Sequence, residues 1–344
     1  MKIGNATKTF STIMLLAVSG FLCLDIRNQA QAQQHSSDKI YFDNFELLNG
    51  NRFLITQQSG EVLAQIYNAK DGNVEQNLIR SGRGPFELEF VGGIAFNRQT
   101  ETLYIIDIQS GKIISFDERG KPLNEKKLGI TYARKLDAFR DDLLLTPGTI
   151  ITEGTPDKSR YPLAHLLDPV TLEVSNTLFF DLRKLNLEHI EDFDKTNSFD
   201  LRPLVISSFQ EGVYVVVFES FNKIFLINKN SELLDEIEID VNGIETPKIV
   251  RHPSFGYGLR TYTVLNDYVR RGGSIYFSFE QVSEQTQNGL IKVGISDSYK
   301  LSAHKYQLTT NLEPTDPFKP FQVTGDGNSI YGANGSEIYP LSFN

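Results

Sequence analysis

The chain has 344 residues, of which 40% are hydrophobic and 22% charged, enough apolar material for one large or two ordinary domains. That balance excludes a disordered or collagen-like chain, and a formal net charge of −9 argues against nucleic acid and anionic lipid as partners. Met1, Met14 and Cys23 are the only sulfur-bearing residues, so beyond position 23 disulfides, thiolate metal sites and cysteine nucleophiles are excluded.

At the start of the chain, Lys2 and Lys8 precede an apolar run over 10–24, and Ala30, Gln31 and Ala32 supply a small-x-small cleavage site. This pattern predicts a signal peptide over 1–32 and an exported domain over 33–344, periplasmic or secreted. The apolar run falls short of the roughly 20 residues a membrane-spanning helix needs, and Asp25 and Arg27 follow at once. Cys23 is preceded by the bulky Leu22, where lipoprotein processing requires a small residue, so the thiol is expected to leave with the signal. Removing 1–32 leaves a domain with a formal charge of −11.

The rest of the chain repeats one unit, a tight turn leading into a short β-branched or aromatic strand. Six copies occur: RFLIT at 52–56, TLYII at 102–106, DLLLT at 142–146, GVYVV at 212–216, SIYFS at 274–278 and SIYGA at 329–333. Each follows another apolar strand and a turn, at 49–50, 97–100, 140–141, 210–211, 271–273 and 325–328, mostly rich in Gly, Asn or Asp. Third and fourth strands follow in four copies, and KIISFDERGKPL at 112–123 aligns without a gap with KIFLINKNSELL at 223–234. Four-stranded antiparallel meanders recurring about every 50 residues describe an all-β, six-bladed β-propeller.

The last copy ends one strand short, and KIYFD at 39–43 supplies a strand that can pair with the last blade and close the ring. A seventh blade is not expected, because 149–160 and 241–262 show no strand pairs. Residues 181–194 carry a mixed pattern that predicts a short helix in an inter-blade loop.

GRGPFELEFVGGIAF at 82–96, followed by LYIID at 103–107 and KIISFD at 112–117, resembles an NHL repeat. It is similar to the repeats of secreted bacterial six-bladed propellers of TolB-like and NHL architecture, whose usual phrase is Gly-x-Gly-Pro-Gly-Glu-Phe. Phe86 stands where that phrase has the glycine that follows its proline. The resemblance implies an extracytoplasmic propeller and no particular chemistry.

In such a ring the first-to-second strand turns emerge on one face and the longer connections on the other, which predicts a working face built from the long loops. There, RHPSFGYGLR at 251–260 gathers Arg251, His252, Tyr257 and Arg260, with Arg83 and Arg202 in other loops of the same face. Guanidinium forks and aromatic faces on an acidic protein suit a small acidic, peptidic or glycan ligand, or an envelope or extracellular protein. The second strands end at or beside Gln57, Asp107, Thr146, Glu219, Glu280 and Asn334, expected to ring the channel mouth. Their oxygens offer a hard-cation site, so a calcium-dependent hydrolase or lyase is the alternative to a non-catalytic binding propeller.

Other catalytic patterns fail. The five histidines are scattered, 192–203 lacks the Gly and Glu of a calcium loop, Gly82-x-Gly84 opens no helix, and there is no Gly-x-Ser-x-Gly elbow. A structural module of an envelope assembly is a third reading, to be marked by an apolar patch on the outer strands.

Overall fold

The computed structural model describes residues 43–130, 133–147, 150–151, 158–185, 198–199, 203–218, 221–239, 248–252, 256–260, 263–281, 287–307, 322–325, 330–333 and 338–341. Among them there is no α-helix, and the strands form a ring of six antiparallel blades. Blade 1 comprises Asn44–Asn49, Arg52–Thr56, Val62–Asn68 and Asn73–Ser81, and blade 2 Val91–Asn97, Thr102–Asp107, Lys112–Asp117 and Pro122–Lys127. Blade 3 comprises Ala133–Phe139, Asp142–Pro147, Tyr161–Leu167 and Val174–Phe180, and blade 4 Pro203–Ser207, Val213–Phe218, Lys223–Asn228 and Leu233–Glu238. Blade 5 comprises Thr263–Arg271, Ser274–Gln281, Gln287–Ile295 and Leu301–Gln307. In blade 6 three strands are described, Gln322–Gly325, Ile330–Ala333 and Ile338–Leu341. Residues 39–42 of the expected closing strand lie outside the described residues, while the amide of Asp43 donates to Thr56 O in blade 1 at 2.7 Å.

A recurring polar residue ends or directly follows the third strand in each of the five blades with four described strands. Asp117 Oδ1 accepts the amides of Arg119 and Lys121, and Asn228 Oδ1 those of Asn230 and Glu232, at the same offsets. The gapless alignment of these two stretches is thus an alignment of turn chemistry. Asn68 and Asp168 accept from the residues two and three further on, and Ser296 Oγ accepts from Lys300 N. Each satisfies amides that the sheet ladder has released, which is why Asn, Asp and Ser recur there.

The hydrophobic effect works between blades. Leu54, Ile66, Leu88, Ile105 and Phe116 fill the space between blades 1 and 2, and Phe180, Tyr214, Phe218 and Phe225 that between blades 3 and 4. Ile206, Val215, Phe277 and Ile291 join blades 4 and 5. Gly93 permits a close approach in the inner ring, since a Cβ there would stand 2.9 Å from Arg134 O and 3.0 Å from Leu136 N of blade 3.

Blade 6 meets blade 1 through more directional contacts. Leu47 N donates to Thr324 Oγ1 at 3.0 Å, and the rings of Phe53 and Tyr331 meet edge to face at 5.4 Å. From the tight turn of blade 2, Arg98 donates to Leu47 O and Leu48 O of blade 1 and to Gly325 O of blade 6, binding three blades with one guanidinium.

Two inter-blade segments carry additional pairing. Ile150–Ile151 pairs with Ser198–Phe199, and Lys248–His252 forms a hairpin with Gly256–Arg260. The expectation that 149–160 and 241–262 lack strand pairs is corrected on this point. Neither is a blade: each has two strands, and the sheets do not join the ring. Within the expected helix at 181–194, Leu182–Leu185 is one 3₁₀ turn with Leu182 and Leu185 buried, and the remainder from 186 lies outside the described residues.

Candidate functional site

The first strands of the blades line the central channel, and toward the tight-turn face this channel widens into a cavity of about 470 Å³. Its described walls come from the first strands of blades 1, 2, 3, 5 and 6, and its rim from Arg98, Gln99, Arg140, Phe209, Arg271 and Gly272 in the first-to-second strand turns. Phe45, Ile94, Leu136, Ala138, Phe139 and Val269 supply apolar surface. The volume lies within the roughly 300–1,000 Å³ typical of small-molecule sites.

Charged groups cross this cavity in three sets. Asp137 accepts from the amide of Ser207 at 2.8 Å, from the Tyr268 hydroxyl, and from Arg270 Nη2 at 2.6 Å, linking blades 3, 4 and 5. Arg270 also donates to Ser207 O and packs over the ring of Phe139, its guanidinium carbon 4.4 Å from the centroid. Burial and the neighbouring Asp137 carboxylate raise the Tyr268 phenol well above its ordinary pKa. The second set is Lys135 Nζ facing Asp267 Oδ1 at 3.4 Å, with Val323 N also at 3.4 Å from Asp267 Oδ2.

The third set is Glu46, 3.8 Å from Arg98 Nη2 and hydrogen-bonded to the side chain of Thr324. Its side chain is 27% exposed, and it lines the channel cavity. Desolvation in that enclosed space is the largest influence on its carboxyl. The positive charge of Arg98 opposes it, the negative charge of Asp267 adds to it, and the result is a pKa pushed up to about 7.

The residues expected at the channel mouth have other surroundings. A second strand lies one ladder step outside the first: Asp107 is opposite Val91 and Thr146 opposite Lys135. Gln57, Asp107 and Thr146 do not line the cavity. Asp107 is buried and its two oxygens accept the amides of Glu89, Phe90, Gln109 and Ser110 at 2.7–3.0 Å. Burial pushes its carboxyl up, but the four amides prevail and hold it below the ordinary carboxylate range. Gln57 donates its amide to Leu63 O, and Thr146 is buried. Glu280 lies in the second strand of blade 5, between Val264 and Asn288, while Glu219 and Asn334 lie outside the described residues. Among the described residues no cluster of three or more His, Cys, Asp or Glu is placed to hold a metal.

Of the long-loop residues, the accessory hairpin makes Arg251 the cross-strand partner of Tyr257, His252 that of Gly256, and Arg260 that of Lys248. Arg202 lies outside the described residues. Arg83 is 83% exposed and paired with Glu89 at 2.7 Å. Its loop is held from within: the Glu87 carboxylate accepts Gly84 N at 2.8 Å, Lys112 Nζ donates to Gly84 O and Glu87 O, and Glu125 accepts Phe86 N. Phe86 has a φ of 55°, the left-handed conformation that the glycine of the resembling phrase would adopt without strain.

Sequence reasoning missed Glu46, Lys135, Asp137, Asp267, Tyr268 and Arg270, because they sit inside the first strands, while the expected site residues lie in loops and at the ends of second strands. The available signal was a charge breaking the apolar run of a first strand, as in NFELLN at 44–49 and ARKLDAF at 133–139.

With this geometry established, solved structures show what the chain is similar to. A member of the DUF4221 family from Bacteroides vulgatus ATCC 8482 superposes with a TM-score of 0.56 at 9% identity, covering 88% of this chain and 90% of that one. A candidate exported protein from Bacteroides fragilis NCTC 9343 superposes with a TM-score of 0.50 at 10% identity, covering 87% and 81%. These likenesses show the propeller fold. No family model and no curated protein matches the chain, so the NHL resemblance rests on the stretch 82–117 alone. No helix among the described residues is long and apolar enough to cross a membrane.

Proposed function

We propose that the chain is an exported, non-catalytic β-propeller that binds a ligand, and that the central cavity on its tight-turn face is the binding site. The observation that carries this reading is the cavity itself: an apolar enclosure crossed by charges, of which Asp137 and Arg270 are closely paired while Lys135 and Glu46 keep longer contacts. Asp137, Asp267 and Glu46 each face a cation or a hydroxyl, which supports walls organised for recognition. Export is supported by the leader pattern at 1–32 and by the likeness to the candidate exported protein of Bacteroides fragilis.

Thermal-shift screening of a small-molecule library against the wild type and Ala138→Phe, which fills the cavity, tests the proposal. Stabilising compounds whose effect disappears in Ala138→Phe are expected. An absence of stabilising compounds, or shifts that persist in the filled variant, would reject the cavity as the site.

The accessory hairpin favours a second reading, in which Arg251, His252, Tyr257 and Arg260, with Arg83 and Arg202, meet an extracellular or envelope partner on the opposite face. Replacing Arg251, Tyr257 and Arg260 with Ala would then abolish partner capture while the melting temperature holds. The calcium-dependent hydrolase or lyase is the rival: it requires calcium binding that Asp107→Asn and Glu280→Gln both remove, measured by calorimetry.

A further inference from the structure

Resting on the cavity as the binding site, we infer that its ligand is a small organic carboxylate with a ring-sized apolar body, held through an ion pair to Lys135. Five cations line the cavity, Arg98, Lys135, Arg140, Arg270 and Arg271, against the three carboxylates Glu46, Asp137 and Asp267. An excess of positive charge there, in a chain of net charge −9, selects for an anion.

The cations differ in how far they are committed. Arg98 is held by three backbone carbonyls, and Arg270 by Asp137 and Ser207 O. Lys135 meets only Asp267 among the described residues, at 3.4 Å, well beyond the roughly 2.7–2.9 Å of a strong charge-assisted hydrogen bond. An ammonium with three donors and one long contact can take a ligand carboxylate without losing a short bond. Arg140 gives one nitrogen to Phe209 O at 2.9 Å.

At about 3.3 Å per residue, the backbones of Lys135 and Arg140 are some 16 Å apart, Lys135 within the strand and Arg140 in the exposed turn beyond it. Arg140 therefore acts at the rim by attracting the anion, and Lys135 in the wall by pairing with it. The edge-to-face rings of Phe139 and Phe209, 5.5 Å apart, give the apolar body a surface.

Calorimetry with 2-naphthoate and the uncharged, similarly shaped 2-naphthylmethanol tests the inference. The carboxylate is expected to bind at least tenfold more tightly, and Lys135→Met to erase that preference. Equal binding of the two probes in the wild type, or a preference that survives Lys135→Met, overturns the inference and leaves the cavity reading standing. Binding of neither probe overturns the inference, and the library screen then decides the cavity reading. Arg140→Gln, on an exposed turn, keeps the test decisive if Lys135→Met does not fold: 2-naphthoate association at low salt should slow at least threefold, and an unchanged rate overturns the role of the rim.

Discussion

Asp107 and Glu46 lie toward opposite ends of the ring and hold their charges differently. Asp107, at the long-loop end of its strand, is enclosed by four backbone amides that depress its pKa. Glu46, in the channel, has a distant guanidinium, one hydroxyl and a repelling Asp267, and its pKa rises to about 7. Amides that lead into or follow a turn are fixed by the chain, so a carboxylate among them is part of the fold. A carboxylate whose neighbours are side chains across an open space keeps interactions that a ligand or a proton can change.

The largest effect tests the limit of that contrast inside the cavity. Asp137→Asn removes the anion from Arg270, whose guanidinium is enclosed by Phe139, Tyr268 and Ser207 O. Stranding a buried charge should cost about 3–5 kcal/mol, read as the shift in urea unfolding. A loss below about 1 kcal/mol would mean that Arg270 reaches water through the cavity, and that this set is as adaptable as Glu46.

Next is Asp107→Ala, which frees four amides at a buried position and should cost about 3 kcal/mol. Because its folded pKa is depressed, the stability Asp107 confers is present above about pH 4, its unfolded value, and is lost as the pH falls through the lower folded value. A variant of unchanged stability that had lost calcium binding would reverse its assignment and move the metal site to the long-loop end.

Glu46→Gln has a smaller effect of opposite sign. A carboxyl with a raised folded pKa contributes stability below its unfolded value near 4.5 that disappears as the pH climbs through about 7. The wild type should therefore lose on the order of 2 kcal/mol between pH 5 and pH 8, and Glu46→Gln should flatten that slope. Arg98, Lys135, Asp267 and Arg270 share the cavity with it, so melting curves of Glu46→Gln alone separate its contribution from theirs. Binding of 2-naphthoate should weaken as the pH climbs over the same interval, because the ionising Glu46 adds a negative charge to the wall.

The blades were legible because their information is local. A turn followed by a β-branched strand marks a hairpin wherever it occurs, and Asn68, Asp117, Asp168 and Asn228 each announce a turn through their own side chains. The cavity was not legible, because Lys135 and Asp267, or Asp137 and Arg270, are more than 130 positions apart and meet only when the ring closes. Asp107 shows the converse: its place at a strand end was readable, but the sequence does not reveal that Glu89 and Phe90 bring their amides to it.

Phe86 carries the smallest effect and the most specific one for the long-loop end. The side chain packs half-buried against the core of blades 1 and 2, while its backbone holds a φ of 55°. Truncation to Ala removes the packing, about 1.5 kcal/mol for a partly buried ring, and retains the strained conformation. Truncation to Gly removes the same packing and releases strain of about 1 kcal/mol. At an ordinary strand or helix position Gly is the less stable by about 0.5–1 kcal/mol. At 86 the order should invert, with Phe86→Gly more stable than Phe86→Ala by about 1 kcal/mol in urea unfolding. If Ala is the better substitute, the loop relaxes around its aromatic residue, and the likeness of GRGPFE to the glycine-bearing phrase of secreted propellers is one of composition without a shared backbone.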